Sequence, residues 1–272
     1  MSSILLSTIE YLNKYHIKAK KYKGQNFLLD DNLCKKIVSL TDLKNQILLE
    51  FGAGPGNLTR AALSLHPKKL IAIEIDKQFL PILLEIQKKY PSLEIKNTDA
   101  LTVKIKDFTN KKIFILGNLP YNIASQLLIK VLDEIELVKG LIITIQKEMA
   151  ARIYANPHNK AYGIISVLCQ ARLDIKKYFD IAPNLFYPRP QIFSTTVSML
   201  TKEKQLKLQE WLMLKKILRY AFGKRRKMIK TSLSTLFPDI KNFLYKTSID
   251  PKLRAENLTV EDYIRLSKYI VK

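Results

Sequence analysis

Cysteine is nearly absent from this chain: Cys34 and Cys169 are the only two, far apart and in no metal-like spacing. That excludes a disulfide framework and a structural zinc, and it suits a reducing, cytoplasmic compartment. The histidines are equally few. His16, His66 and His158 are isolated and make no ligand set, so no metal is expected. No apolar run approaches the ~18 residues needed to span a bilayer. Ser3-Ile4-Leu5-Leu6 is too short for a signal peptide and lacks its basic flank. No Gly-x-x-x-x-Gly-Lys-Ser/Thr segment occurs, which excludes the phosphate-cradling loop of nucleotidases. Acidic residues are also in deficit, 24 against 46 Lys and Arg, for a net charge of +22. Self-repulsion of that size is expected to be offset by a polyanionic partner. Half of the excess lies in residues 201–272, which hold 18 Lys/Arg and 7 Asp/Glu. Otherwise the composition is that of a globular protein, 47% hydrophobic and 26% charged. A length of 272 residues allows one large domain and one small one.

Short apolar runs and longer amphipathic segments alternate between residues 47 and 146. The runs are Ile47–Phe51, Leu70–Ile75, Leu93–Ile95, Ile113–Leu116 and Leu141–Ile145. Their spacing leaves room for one helix between successive runs, the pattern of repeated βαβ units and a parallel sheet covered on both faces. A final run at Thr195–Leu200 predicts an antiparallel strand closing that sheet. Beyond residue 200 the alternation stops, and helices are predicted at Leu206–Ala221, Lys227–Leu236, Ile240–Lys246 and Val260–Val271. The fold class is therefore α/β, a Rossmann-like sheet over residues 1–200 with a small, basic, all-helical domain over 201–272. A helix is also predicted through Leu33 to Leu40, with Asp30, Asp31 or Asn32 as its N-cap. Residues 1–23 read as a basic N-terminal arm, with five lysines between residues 14 and 23.

Ligands of such sheets bind beyond the carboxyl ends of the strands. The first strand runs into Gly52-Ala53-Gly54-Pro55-Gly56, where the glycines let the backbone approach a ligand before a helix begins. The second ends in Ala72-Ile73-Glu74-Ile75-Asp76, and Glu74, 22 residues after Gly52, is placed to accept the hydroxyls of a ribose. The third is followed by Asn97-Thr98-Asp99-Ala100. The Gly-x-Gly-x-Gly spacing lacks the third, spaced glycine that seats a pyrophosphate. A nucleoside without phosphates fits better than a dinucleotide, and S-adenosylmethionine meets that description.

The fourth strand ends in Asn118-Leu119-Pro120-Tyr121-Asn122. Pro120 has no N–H to donate and drives Leu119 to an extended conformation, which turns the Leu119 carbonyl outward. Asn118 adds a side-chain acceptor and Tyr121 an aromatic face. Two acceptors and a ring at the mouth of a parallel sheet suit a planar base bearing an amino group. Further on, Phe186-Tyr187-Pro188-Arg189-Pro190 is stiffened by its prolines, which would fix Phe186 as a wall. Phe222-Gly223-Lys224-Arg225-Arg226-Lys227 is the most basic run, and Lys224, Arg225, Arg226 and Lys227 are candidate phosphate contacts.

In order along the chain, Gly24-Gln25-Asn26-Phe27-Leu28, the glycine loop, Glu74-Ile75-Asp76, Asp99-Ala100 and Asn118-Leu119-Pro120-Tyr121-Asn122 resemble the small-subunit ribosomal RNA adenine N6-dimethyltransferase family. The resemblance continues through Gln146-Lys147-Glu148, Phe186 with its prolines, the basic run, and Arg254-Ala255-Glu256-Asn257-Leu258. It implies dimethylation of two adjacent adenosines near the 3′ end of small-subunit ribosomal RNA, in an immature subunit, by a cytoplasmic monomer. It also implies that Asn26, Leu28, Gly52, Gly54, Glu74, Asp99 and Asn118 line the S-adenosylmethionine site, with Asn118, Leu119, Pro120, Tyr121 and Phe186 around the reacting amine. The chain departs from the family at Gln191-Ile192-Phe193-Ser194, where Lys-Val-Asp-Ser is usual, so Gln191 and Phe193 inherit no role. The alternative is a large-subunit ribosomal RNA methyltransferase of the antibiotic-resistance type.

Overall fold

The computed structural model describes residues 5–19 and 24–271; residues 1–4, 20–23 and 272, which include part of the expected basic arm, lie outside it. Its strands are β1 (Phe27–Leu28), β2 (Ile47–Phe51), β3 (Lys69–Ile73), β4 (Leu93–Lys96), β5 (Ile113–Asn118), β6 (Val138–Gln146), β7 (Leu173–Ile181), β8 (Phe186–Tyr187) and β9 (Ser194–Thr201). Its helices are α1 (Thr8–Lys14), α2 (Asp31–Val38), α3 (Asn57–Leu63), α4 (Leu80–Lys89), α5 (Ala124–Asp133), α6 (Lys147–Ile153), α7 (Ile164–Arg172), α8 (Leu208–Gly223), α9 (Ile229–Leu233), α10 (Ile240–Lys246) and α11 (Val260–Ile270). They divide into two compact units, residues 1–150 with 176–201, and residues 151–175 with 202–272. The helical unit thus takes in 151–175 as well as the C-terminal residues, because α7 packs against α8 and α11.

The main sheet has the order β4-β3-β2-β5-β6-β9-β7. Strands β2 to β6 pair in parallel, and β9 runs antiparallel to β6 from Gly140↔Leu200 to Gln146↔Ser194. The predicted antiparallel strand is therefore present, but it does not close the sheet: β7, not anticipated from sequence, forms the edge beyond it. Lys176 and Lys177 on β7 are in keeping with an edge strand made unattractive to further pairing. Chain order reverses between β2 and β5, so a crevice opens at their carboxyl ends. Strand β3 stops at Ile73, two residues before the predicted end, which leaves Glu74 and Ile75 in the connection.

The apolar runs of β2, β3 and β5 are almost wholly buried, as strands covered on two faces must be. Asp30 is the N-cap of α2; its carboxylate accepts from the Asn32 and Leu33 N–H groups at 2.8 and 3.0 Å. Part of the expected arm is an ordered helix. Ser7 and Glu10 form a capping box at the start of α1, Tyr11 and Leu12 are buried, and Lys14 and Tyr15 both bind Glu85 of α4. In the helical unit the Arg172 guanidinium lies 4.0 Å from the centroid of the single Trp ring, Trp211.

Candidate active site

The crevice at the carboxyl ends of β2 and β5 forms a cleft partly open to solvent. Gly52, Gly54, Glu74, Asp99, Asn118, Pro120 and Asn26 line it, so six of the seven expected cofactor residues converge there. Leu28 does not. Its side chain is buried, β1 pairs it with Phe186 of β8, and its carbonyl accepts from the Asn57 side chain.

The glycine loop forms because its backbone has conformations that a side chain would strain. Gly52, Gly54 and Gly56 have φ of 71°, 53° and 79°. A Cβ on Gly54 would also sit 3.1 Å from the Phe27 ring. With no side chain in the way, the Gly54 N–H donates to Glu74 Oε2 at 2.7 Å, while the Asp76 N–H donates to Oε1 at 2.7 Å. Two backbone donors thus hold the Glu74 carboxylate in one orientation at the cleft wall. Burial pushes its pKa up and outweighs those two hydrogen bonds. Hydroxyl donors entering the cleft would relieve that burial penalty. Asp76 is itself held by Gln25 and Gln78, each at 3.0 Å, which ties the Gly24–Asn26 segment across this side of the cleft.

Asn118 is the last residue of β5. Its Nδ2 donates to the Asn26 carbonyl at 2.6 Å, so the amide has only one sensible orientation and Oδ1 is the acceptor it has left to offer. Asn26 is in turn fixed by its own side chain, which donates to the Gly24 carbonyl at 3.2 Å. The Leu119 N–H continues the ladder to the Thr144 carbonyl at 3.0 Å, which anchors the turn to β6. The Leu119 side chain is buried, Pro120 lines the cleft, and the Tyr121 hydroxyl shares a hydrogen bond with Ser194 Oγ at 2.8 Å. Phe186 differs from expectation: it is 3% exposed, its ring lies in the core, and it does not line the cleft. The reason is its pairing in β8, which turns it inward and leaves Tyr187 outward.

The remaining walls are apolar: Phe51, Ile73, Ile75, Phe79, Ile123 and Leu127. None carries a sequence signal, because apolar residues of these types also fill the core; Ile75 and Ile123 lie in connections and the others in strands or helices. Ser194 was legible only as part of a departing motif, and its bond to Tyr121 is long-range. In the helical unit, Lys224, Arg226 and Lys227 are exposed, but Arg225 is engaged. Its Nε donates to Glu256 at 2.8 Å and its Nη2 to the Lys160 carbonyl at 2.9 Å. It fastens the loop before α7 to the stretch before α11 and is not free to meet a phosphate as the other three are.

The cleft fits S-adenosylmethionine on these grounds: a bare glycine backbone, an oriented carboxylate beside it, and apolar walls. The sequence profile of the ribosomal RNA adenine dimethylase family matches residues 16–272. The ribosomal RNA small subunit methyltransferase A of Pelagibacter ubique is 40% identical over 93% of this chain and 97% of its own length. The same enzyme of Wolbachia pipientis is 37% identical over 96% and 99%. A dimethyladenosine transferase from Plasmodium falciparum has a similar structure, with TM-score 0.74 and 25% identity over 87% of this chain and 94% of that one. The 23S rRNA methyltransferase ErmE shares the fold at TM-score 0.69 and 20% identity, over 90% of this chain and all of that one.

Proposed function

The chain belongs to the ribosomal RNA adenine dimethylase family and is an S-adenosylmethionine-dependent adenine dimethyltransferase; from this we propose that its substrate is small-subunit ribosomal RNA in an immature subunit, dimethylated at two adjacent adenosines near the 3′ end. Relatives at about 40% identity over nearly their whole length, named as small-subunit enzymes, support that choice of RNA. We take the working form to be a monomer in the cytoplasm. Among the described residues no helix is long and apolar enough to cross a membrane.

When bound, S-adenosylmethionine supplies an electrophilic methyl group on sulfur. Gly52, Gly54, Glu74, Asp99 and Asn26 are the residues that would hold it. The protein's own task is to make the adenine amine a better nucleophile, since its lone pair is delocalised into the ring. Asn118 Oδ1 and the Leu119 carbonyl accept its two N–H groups and favour a pyramidal nitrogen with its lone pair free. The carrying observation is the 2.6 Å bond from Asn118 Nδ2 to the Asn26 carbonyl, which leaves Oδ1 for the substrate before it arrives. As positive charge builds on the amine, both acceptors interact with it more strongly. Tyr121, steadied by Ser194, offers the stacking face for the extruded base. No strong base is required, because a protonated aryl amine gives its proton to water readily. Lys224, Arg226 and Lys227 serve as phosphate contacts.

Incubation of the protein and S-adenosylmethionine with small- and large-subunit precursors, followed by mass spectrometry of each RNA, tests the assignment. Dimethyladenosine at two neighbouring positions of the small-subunit RNA is expected. Modification of the large-subunit RNA instead would transfer the protein to the alternative class.

A further inference from the structure

Phe193 stands where the family pattern has an acid, and it has no part in the cleft. It is 48% exposed, and Tyr187 and Ile192 in the same short segment are 46% and 40% exposed. One exposed apolar residue is ordinary; three within seven residues make this segment unusually apolar for a surface stretch. The segment is also held in place. The Phe193 carbonyl accepts from the Lys147 N–H at 3.0 Å, and Lys147 Nζ lies 5.6 Å from the centroid of the Phe193 ring. The same ammonium pairs with Asp180 at 2.8 Å, and Lys177 pairs with Asp180 at 3.1 Å, so the acid beneath is offset by two cations. The next residue is Ser194, whose Oγ bonds the Tyr121 hydroxyl. A single peptide therefore separates the exposed ring from the partner of the aromatic in the catalytic turn.

We propose that Phe193 and the Lys147 ammonium beside it form a subsite for the unpaired nucleotide next to the target adenosine, the ring stacking on its base and the ammonium facing its phosphate. The proposal rests on the reading that the chain methylates adenosine in RNA. Extruding one base leaves the face of its neighbour bare. An aromatic ring just outside the pocket replaces the lost stacking, and because every base has a π-face it does so with little sequence preference. Asp180 pairs with the ammonium at 2.8 Å beside the ring, and the Lys147 side chain stays 55% exposed. An acid in place of Phe193 would repel phosphate, so the departure from the family changes what this surface attracts.

The experiment uses the full-length protein and short RNA loops carrying the target adenosine, with its neighbours either intact or abasic. Phe193→Ala is expected to weaken binding of the intact loop about tenfold or more and of the abasic loop less than twofold, while Phe193→Trp binds as the wild type. Lys147→Ala is expected to lower the salt dependence of binding by about one phosphate contact. Unchanged S-adenosylmethionine affinity in all variants establishes that they are folded. Equal losses on both loops, or no loss on the intact one, overturn the subsite. Wild-type protein that binds the cofactor but methylates neither loop would overturn the functional reading itself.

Discussion

In the mechanism proposed above catalysis turns on Asn118, and what would prepare it is a backbone carbonyl 92 residues away in sequence. Because the Asn26 carbonyl takes its Nδ2, the amide reaches the substrate already oriented and loses little freedom on binding. Asn118→Ala should lower the single-turnover methylation rate by roughly 100- to 1,000-fold and leave RNA affinity nearly unchanged. Comparable losses in both would assign it to binding. Glu50 gives a different kind of test. It is buried beneath the glycine loop, accepting from the Thr59 hydroxyl at 2.6 Å, and burial pushes its pKa up from 4.5 to about 8. Between those values the folded chain keeps a proton that the unfolded chain releases, so stability falls as pH rises through that window. Denaturant titrations from pH 5 to pH 8 should show the wild type losing stability relative to Glu50→Gln. A difference that stays constant with pH would mean that Glu50 ionises normally.

At the scale of elements, the glycine loop and the Arg254–Leu258 stretch do opposite jobs. The loop keeps side chains out: Gly54→Ala would strain a residue at φ 53° and press a methyl on Phe27. Cofactor affinity, read by calorimetry, should drop about tenfold, with a stability loss of about 1 kcal/mol. The stretch before α11 instead gathers partners. Glu256 takes Arg225, the Ala255 carbonyl takes the buried Tyr263 hydroxyl at 2.7 Å, and the Leu258 carbonyl takes the buried Tyr162 hydroxyl at 3.0 Å. The basic run is thus split in role. Arg225→Ala should lower the melting temperature with little change in the salt slope of RNA binding. Arg226→Ala with Lys227→Ala should leave the melting temperature alone and reduce that slope by up to two contacts. The reverse outcome would exchange their assignments.

For the molecule as a whole, the net charge of +22 sets the regime in which it works. RNA affinity should fall steeply and linearly on a log–log plot as salt rises, because each neutralised phosphate releases counterions. S-adenosylmethionine affinity, which depends on a largely apolar cleft and one oriented carboxylate, should change little over the same range. A weak salt dependence for RNA would mean that the excess charge is spread over a solvated surface.

What the sequence by itself determined was local: the buried runs of the parallel strands, the start of α2 to within three candidate caps, the glycines at the end of β2, and the acid and amide at the next strand ends. Burial on two faces demands apolar runs, and a strained turn demands glycine, so both demands are written in neighbouring residues. The tertiary structure decided the rest, since partners distant along the chain have no local signature. It set β7 at the sheet edge, turned Phe186 into the core, moved residues 151–175 into the helical unit, and committed Arg225 to Glu256. It also placed Ser194 on Tyr121 and the Asn26 carbonyl on Asn118, which are the contacts that give those two side chains their direction.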